Sequence, residues 1–196
     1  MPEWGRPNAG RFGLTAPIGP LPGKDGKDKK PGKGKGVPVE VIVEEAVGHL
    51  KLPKPVIRTS PDEDFVQVVR VPTWMWVERS SWDQVSASAE LDGVKVTATA
   101  RPRRAVWSMG EGGSVVCKGS GTPYTKKYDA GAASPDCGYT YRRSSLAEPG
   151  RTFTVKVQVT WDVEWHGGGQ GGVVPGMGMV AQRTLTVDEV QAVVVR

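Results

Sequence analysis

The chain has 196 residues, 38% hydrophobic and 24% charged, enough for one well-packed domain with extensions. Residues 1–36 hold eight of the 26 Lys/Arg and three of the 21 Asp/Glu, leaving eighteen of each elsewhere, so the whole net charge of +5 belongs to one end. That placement argues against a basic nucleic-acid-binding body, two cysteines are too few for a structural zinc site, and with no run of 18 apolar residues a membrane-spanning helix is excluded.

Residues 1–36 are rich in Gly, Pro and Lys, and from Gly23 to Gly36 no residue is apolar. They read as a disordered basic tail with a reach of roughly 30–35 Å. The tail is either a solvated linker or a contact for a polyanion: nucleic acid, teichoic acid or anionic lipid. Residues 37–61 read as a short amphipathic helix and a Pro-rich linker. Val39, Ile42, Val43, Ala46, Val47 and Leu50 share one helical stripe, Glu40, Glu44 and Glu45 lie off it, and Pro53 and Pro55 follow. Three helical turns are unstable alone, so this helix is expected to dock.

From residue 62 to the end the apolar period is two, which predicts a β-sandwich domain. The expected strands run over Val66–Val77, Val85–Leu91, Val94–Arg101, Arg103–Met109 and Ser114–Cys117, with a turn at Gly110-Glu111-Gly112-Gly113. The most explicit strand is Phe153–Trp165. Its odd positions are all apolar (Phe153, Val155, Val157, Val159, Trp161, Val163, Trp165) and its even positions all polar. At about 43 Å it exceeds a usual strand, so its far end is expected to project as a hairpin, with Gly167–Gly178 as the tip and Met179–Val187 as the return. Val163 and Trp165 should then be less buried than Val157. In the closing run Leu185–Val195 the apolar phase slips at Asp188–Glu189, predicting a bulge or bend.

The run Val106-Trp107-Ser108-Met109-Gly110-Glu111-Gly112, then Tyr139-Thr140-Tyr141, then Pro149-Gly150-Arg151-Thr152-Phe153-Thr154-Val155 resembles a PKD-type repeat, with Glu111 in place of that family's Asp. A second resemblance spans residues 39–196. Leu50-Lys51-Leu52-Pro53, Val71-Pro72-Thr73-Trp74-Met75-Trp76-Val77 and Ser134-Pro135-Asp136-Cys137-Gly138-Tyr139 look like a family of actinobacterial secreted proteins. These resemblances imply export and an Ig-like, PKD-like antiparallel fold; they imply no activity. The label "ATP/GTP-binding protein" that some members carry has no support here. A nucleotide-binding Gly-x4-Gly-Lys-Ser/Thr loop is absent, and Gly19–Asp25 has the wrong spacing and ends in Asp.

Few residues offer chemistry. Cys117 and Cys137 are expected to form a disulfide, two buried free thiols being the alternative. A disulfide points to a secreted or cell-envelope protein, although no apolar signal-peptide core follows Met1. Tyr141 is expected to be a tyrosine corner and Trp107 a core residue, as is Trp161. Trp74, Trp76 and Trp165 are the candidate ligand-binding residues, because flat aromatic faces stack on sugars and Pro-rich peptides. Asp62-Glu63-Asp64 is weighed as a calcium site against ordinary solvation. His166 has no metal-spaced partner, and no serine sits in a Gly-x-Ser-x-Gly elbow. No catalytic residue, metal or cofactor is expected. The expected function is a non-catalytic exported binding or structural module, its partner a cell-wall glycan or another envelope protein.

Overall fold

Alternation organises the molecule from its longest regular segment. The computed structural model describes residues 36–190, and from Gly36 onward the chain forms one compact unit. Its central strand, β8 (Phe153–Gly167), buries every odd side chain from Phe153 to Val163 and presents the even ones outward. It is paired antiparallel on both sides, with β5 (Val94–Ser108) and with β9 (Gln170–Leu185). β4 (Val85–Leu91) extends the sheet beyond the first half of β5, and β6 (Ser114–Cys117) beyond the second half. A smaller antiparallel sheet has the order β1 (Ile57–Ser60), β3 (Pro72–Val77), β7 (Gly138–Thr140). A short parallel pair joins β2 (Gln67–Val68) to β10 (Val187–Asp188). Strand makes up 47% of the structure, and the arrangement is an all-β, Ig-like sandwich, as the alternation predicts.

The two strands expected at Val94–Arg101 and Arg103–Met109 are one continuous strand. Pro102 faces Trp161 and Arg104 faces Thr160, so Arg103 is an extra residue without an opposite number on β8. The insertion reverses the phase. Val96, Ala98 and Ala100 are buried before it, Ala105 and Trp107 after it. On the other flank Trp161 faces Met177 and Val163 faces Val174, so β9 carries its own extra residue within Pro175–Gly176. Both irregularities sit beside Trp161–Asp162 and divide the sheet at one level. Each contains a proline, whose missing N–H a bulge tolerates and a regular ladder does not.

Different elements cover the two halves. The helix α1 (Val39–Gly48) buries Ile42, Val43 and Ala46 and packs on β4 and β5, where Ala89, Ala98 and Ala100 leave room for it. The other half carries Trp107, Val157, Trp161 and Phe153, in one core with Ile57, Met75 and Val77 of the smaller sheet. This changes two expectations. Val163 is as buried as Val157, both 0% exposed, because that end of the sheet lies in the core to which the helix contributes. The segment read as a linker holds β1, with Ile57 opposite Val77 and Thr59 opposite Met75, so the folded unit includes residues 37–61.

The glycine-rich segment is strand rather than tip. Only Gly168 and Gly169 form the turn, with φ of 57° and 75°, the positive pair that a two-residue type I′ hairpin requires. A Cβ on Gly168 would lie 3.0 Å from Val39 and 3.1 Å from Val94, so the turn packs beside α1 and the neighbouring hairpin instead of projecting. β10 ends at Asp188, where the slip was expected. Residues 1–35, which carry almost all of the basic tail, and 191–196 lie outside the described residues.

Val157→Ala and Val163→Ala each remove two methyl groups from a filled core and should each cost on the order of 1–3 kcal/mol. Lys156→Ala, on the solvent face, should cost about 0.5 kcal/mol or less. Urea unfolding midpoints check this, and a neutral Val163→Ala would mean that the helix does not cover that end of the sheet.

Candidate functional site

The cysteines are bonded to each other, with their Cα atoms 5.5 Å apart. The bond ties β6 of the large sheet to the residue preceding β7 of the small one, so it staples the sandwich across its core. It also anchors the loop between them. Ser120 O accepts the Val77 N–H at 2.7 Å, and the Asp136 carboxylate accepts from Thr122 N and Oγ1 at 3.0 and 2.9 Å. Gly121, at φ 89°, passes so close to Met75 that any Cβ would collide with its carbonyl. The loop thus starts along the edge of β3 beyond β7, and its Tyr124 and Tyr128 lie over the outer face of the small sheet as a third layer.

That layer removes Trp74 from the candidate ligand-binding residues. Trp74 is 1% exposed, its Nε1 donates to Ala132 O at 2.6 Å, and Tyr128 and Tyr124 cover its ring at 4.6 and 5.3 Å. Trp76, half-buried on the same strand, faces Arg58 across the ladder and has the Gly121 backbone against it. Trp165 is half-buried on the core side of β8, between Ala98 and Gly172; a Cβ on Gly172 would lie 2.8 Å from its Nε1. The three tryptophans sit on two sheets and form no common platform. Trp107 and Trp161 are core residues, as expected.

Tyr141 is structural, but not through a corner hydrogen bond. Its ring stacks on Phe153 at 5.5 Å, nearly parallel, with Tyr139 edge-on at 5.1 Å. Its buried hydroxyl has no hydrogen-bond partner among the described residues. Of Asp62-Glu63-Asp64, the first and last are exposed to solvent, as expected, and only Glu63 is buried, in ion pairs and not in a calcium site. Glu63 is 6% exposed and holds Arg58 at 2.7 Å and Arg183 at 3.1 Å, while Asp64 takes the other end of Arg183. Among the described residues no group of three or more His, Cys, Asp or Glu is placed to hold a metal. His166 is exposed on the outer face.

The feature that sequence reasoning misses is a groove of about 760 Å³ on the open side of the sandwich. Val115 of β6 lines it from the large sheet; Pro72, Tyr139 and Thr140 line it from the small sheet; Arg70 and Arg142 stand at its rim. It runs along two strand edges, since among the described residues β7 pairs only with β3 and β6 only with β5. Met75 N donates to Cys137 O at 3.0 Å, so by antiparallel alternation Tyr139 turns its peptide groups to β3 and Gly138 and Thr140 turn theirs to the open edge.

The charges at the rim are unevenly used. Tyr139 Oη donates to Glu111 Oε1 at 2.6 Å, and the same carboxylate accepts the Arg142 backbone N–H at 3.2 Å. Asp136 is held by Thr122 and Ser134. Among the described residues the guanidinium groups of Arg70 and Arg142 form no ion pair. The acids are thus engaged and the two cations are not. Arg70 adopts φ 65°, a conformation rare for a residue with a side chain, while its N–H holds Tyr141 O at 2.9 Å. No protein-family model, curated protein or solved structure matches the chain.

Burial first, and then the Glu111 carboxylate, push the Tyr139 phenol up to about 12 from its ordinary 10.0. A raised phenol favours the folded state while it stays protonated. Its contribution is complete below pH 10, where the unfolded chain is also protonated, and is lost as pH rises from 10 toward 12. Stability should therefore fall through that window, and Tyr139→Phe should reduce the fall. Unfolding midpoints on either side of pH 10 measure it; an unchanged pH dependence in Tyr139→Phe would assign the fall to other groups.

Proposed function

We propose that this chain is a non-catalytic, exported module that captures an extended acidic segment of another envelope or extracellular protein along the open edge of β7. The carrying observation is the groove in which that edge lies. Peptide groups of Gly138 and Thr140 face outward there, beside the Tyr139 ring and two arginines that form no ion pair among the described residues. Strand addition supplies affinity through main-chain hydrogen bonds, and flanking side chains select the sequence. Arg70 and Arg142 favour carboxylates, since a charge-assisted hydrogen bond is about twice as strong as a neutral one. The disulfide supports an oxidising compartment. The resemblance of residues 39–196 to actinobacterial secreted proteins, and of the Trp107–Gly112 and Tyr139–Tyr141 motifs to PKD-type repeats, supports the same reading.

Fluorescence anisotropy with labelled extended peptides, Glu/Thr/Val against Lys/Thr/Val of equal length, tests this. The acidic peptide should bind. Arg70→Ala with Arg142→Ala should weaken it about tenfold or more, the loss of roughly 1.4 kcal/mol or above. Thr140→Pro, which removes one edge N–H, should abolish it. Deleting residues 1–36 should leave it intact, which separates groove binding from polyanion capture by the basic tail. Equal binding of both peptides, or indifference to Thr140→Pro, would refute the reading.

A further inference from the structure

The large sheet ends in two edges of different chemistry. On one side β4 presents Ser86, Ser88 and Glu90, exposed polar side chains that discourage further pairing. On the other side β9 runs for sixteen residues and, among the described residues, pairs only with β8. The ion pairs of Arg183 with Glu63 and Asp64 close its C-terminal end. Residues 171–182 contain no charged side chain at all. Proteins commonly blunt such an edge with lysine, and here none is present.

Val173 and Val180 are among the most exposed large hydrophobic residues, at 62% and 55%. Val173 faces Glu164 and Val180 faces Gln158 across the ladder, so both lie on the solvent face of the sheet. Seven residues apart on a regular strand, they would point to opposite faces. The extra residue within Pro175–Gly176 brings them to the same one.

We propose that a second copy of this chain pairs antiparallel along β9, joining two five-stranded sheets edge to edge about a two-fold axis at the bulge. An antiparallel edge is self-complementary under a two-fold, because its outward donors and acceptors meet the same row reversed. Centred at the bulge, Gly171–Val174 of each copy lies against Met179–Gln182 of the other. Val173 then meets Val180 of its partner, twice, as cross-strand pairs on one face. Pro175, which has no N–H to give, falls at the centre, where the ladder is already interrupted. The uncharged run sets no like charges against each other and gives a charged partner nothing to recognise, so a second copy is the occupant it fits.

Light scattering of the oxidised full chain after size exclusion, at loading concentrations up to about 0.5 mM to reach a weak association, tests this. The mass should approach twice 21.0 kDa as concentration rises. Val173→Lys with Val180→Lys, both at exposed positions, should give a monomer with an unchanged melting temperature. Val173→Lys with Val180→Glu in the same chain should restore the dimer, because the proposed register sets lysine against glutamate. Val116→Lys, an exposed site on β6, should leave the dimer intact. A wild type that stays monomeric, a dimer that survives the double lysine variant, or a lysine–glutamate variant that stays monomeric would each overturn the proposal. So would loss of the dimer in Val116→Lys.

Discussion

Burying one face of a strand fifteen residues long is the constraint on which the rest of this structure depends. A sandwich sheet of ordinary strand length, about five or six residues, cannot cover β8 from Phe153 to Val163. The chain uses two covers. The small sheet packs where Trp107, Val157 and Phe153 stand, and α1 packs where Ala89, Ala98 and Ala100 leave space. The bulges at Arg103 and at Pro175–Gly176 lie near the boundary between them. A bulge increases local twist and bend, so two at one level let a single sheet meet a helix at one end and a second sheet at the other while β8 itself stays regular. The helix is therefore part of the core, and a domain boundary after residue 61 would uncover the face of β4 and β5 on which it packs.

The disulfide acts on a different part of the fold. The segment between Cys117 and Cys137 is rich in Gly, Pro and polar residues and buries little of its own. A bridge closing a loop of about twenty residues removes roughly 3 kcal/mol of chain entropy from the unfolded state. That offsets much of the cost of ordering a layer whose own apolar anchor is the contact of Tyr124 and Tyr128 with Trp74. Seen this way, Trp74 is the floor of the loop, and its indole N–H donates to Ala132 for the reason that any buried polar group needs a partner. Among the described residues, the indole N–H groups of Trp107 and Trp161 and the hydroxyl of Tyr141 are buried in the main core without a hydrogen-bond partner.

How much of this was legible depended on whether the controlling contacts were local. β8 was plain because its alternation has no break. β5 looked like two strands because the extra Arg103 reverses the apolar phase directly after Pro102, which in a sequence cannot be told from a strand ending and another beginning. Gly167–Gly178 reads as a loop because glycine density is a turn signal, yet glycine in a strand is accepted where a neighbour supplies the missing side chain, as Trp165 does over Gly172. The burial of Trp74 rests on residues some fifty positions away, and the cover over β4 comes from a helix some forty positions earlier. No local pattern carries such information. The Cys117–Cys137 pair was legible only because no other cysteine competes.

The aromatic side chains that the sequence offers as contact residues are, in the structure, largely committed to packing. What is left uncommitted is backbone. A sandwich leaves strand edges open by construction, and each edge carries peptide groups whose partners are water until something better arrives. Side chains decide what that something is. Beside β7 the acids are already engaged and, among the described residues, Arg70 and Arg142 form no ion pair, so the edge presents hydrogen-bonding peptide groups next to positive charge. Along β9 there is no charge at all over residues 171–182, and a valine pair aligned by a bulge takes its place. Under the two proposals made above, the first arrangement would discriminate by charge and the second by shape and symmetry. The same mode of recognition, an added strand, would then be directed to two different partners, each edge disfavouring the other's. An acidic segment on β9 would find no cation to meet its carboxylates, and a neutral strand on β7 would leave Arg70 and Arg142 partly desolvated without an anion, a cost that charged groups bear more heavily than neutral ones.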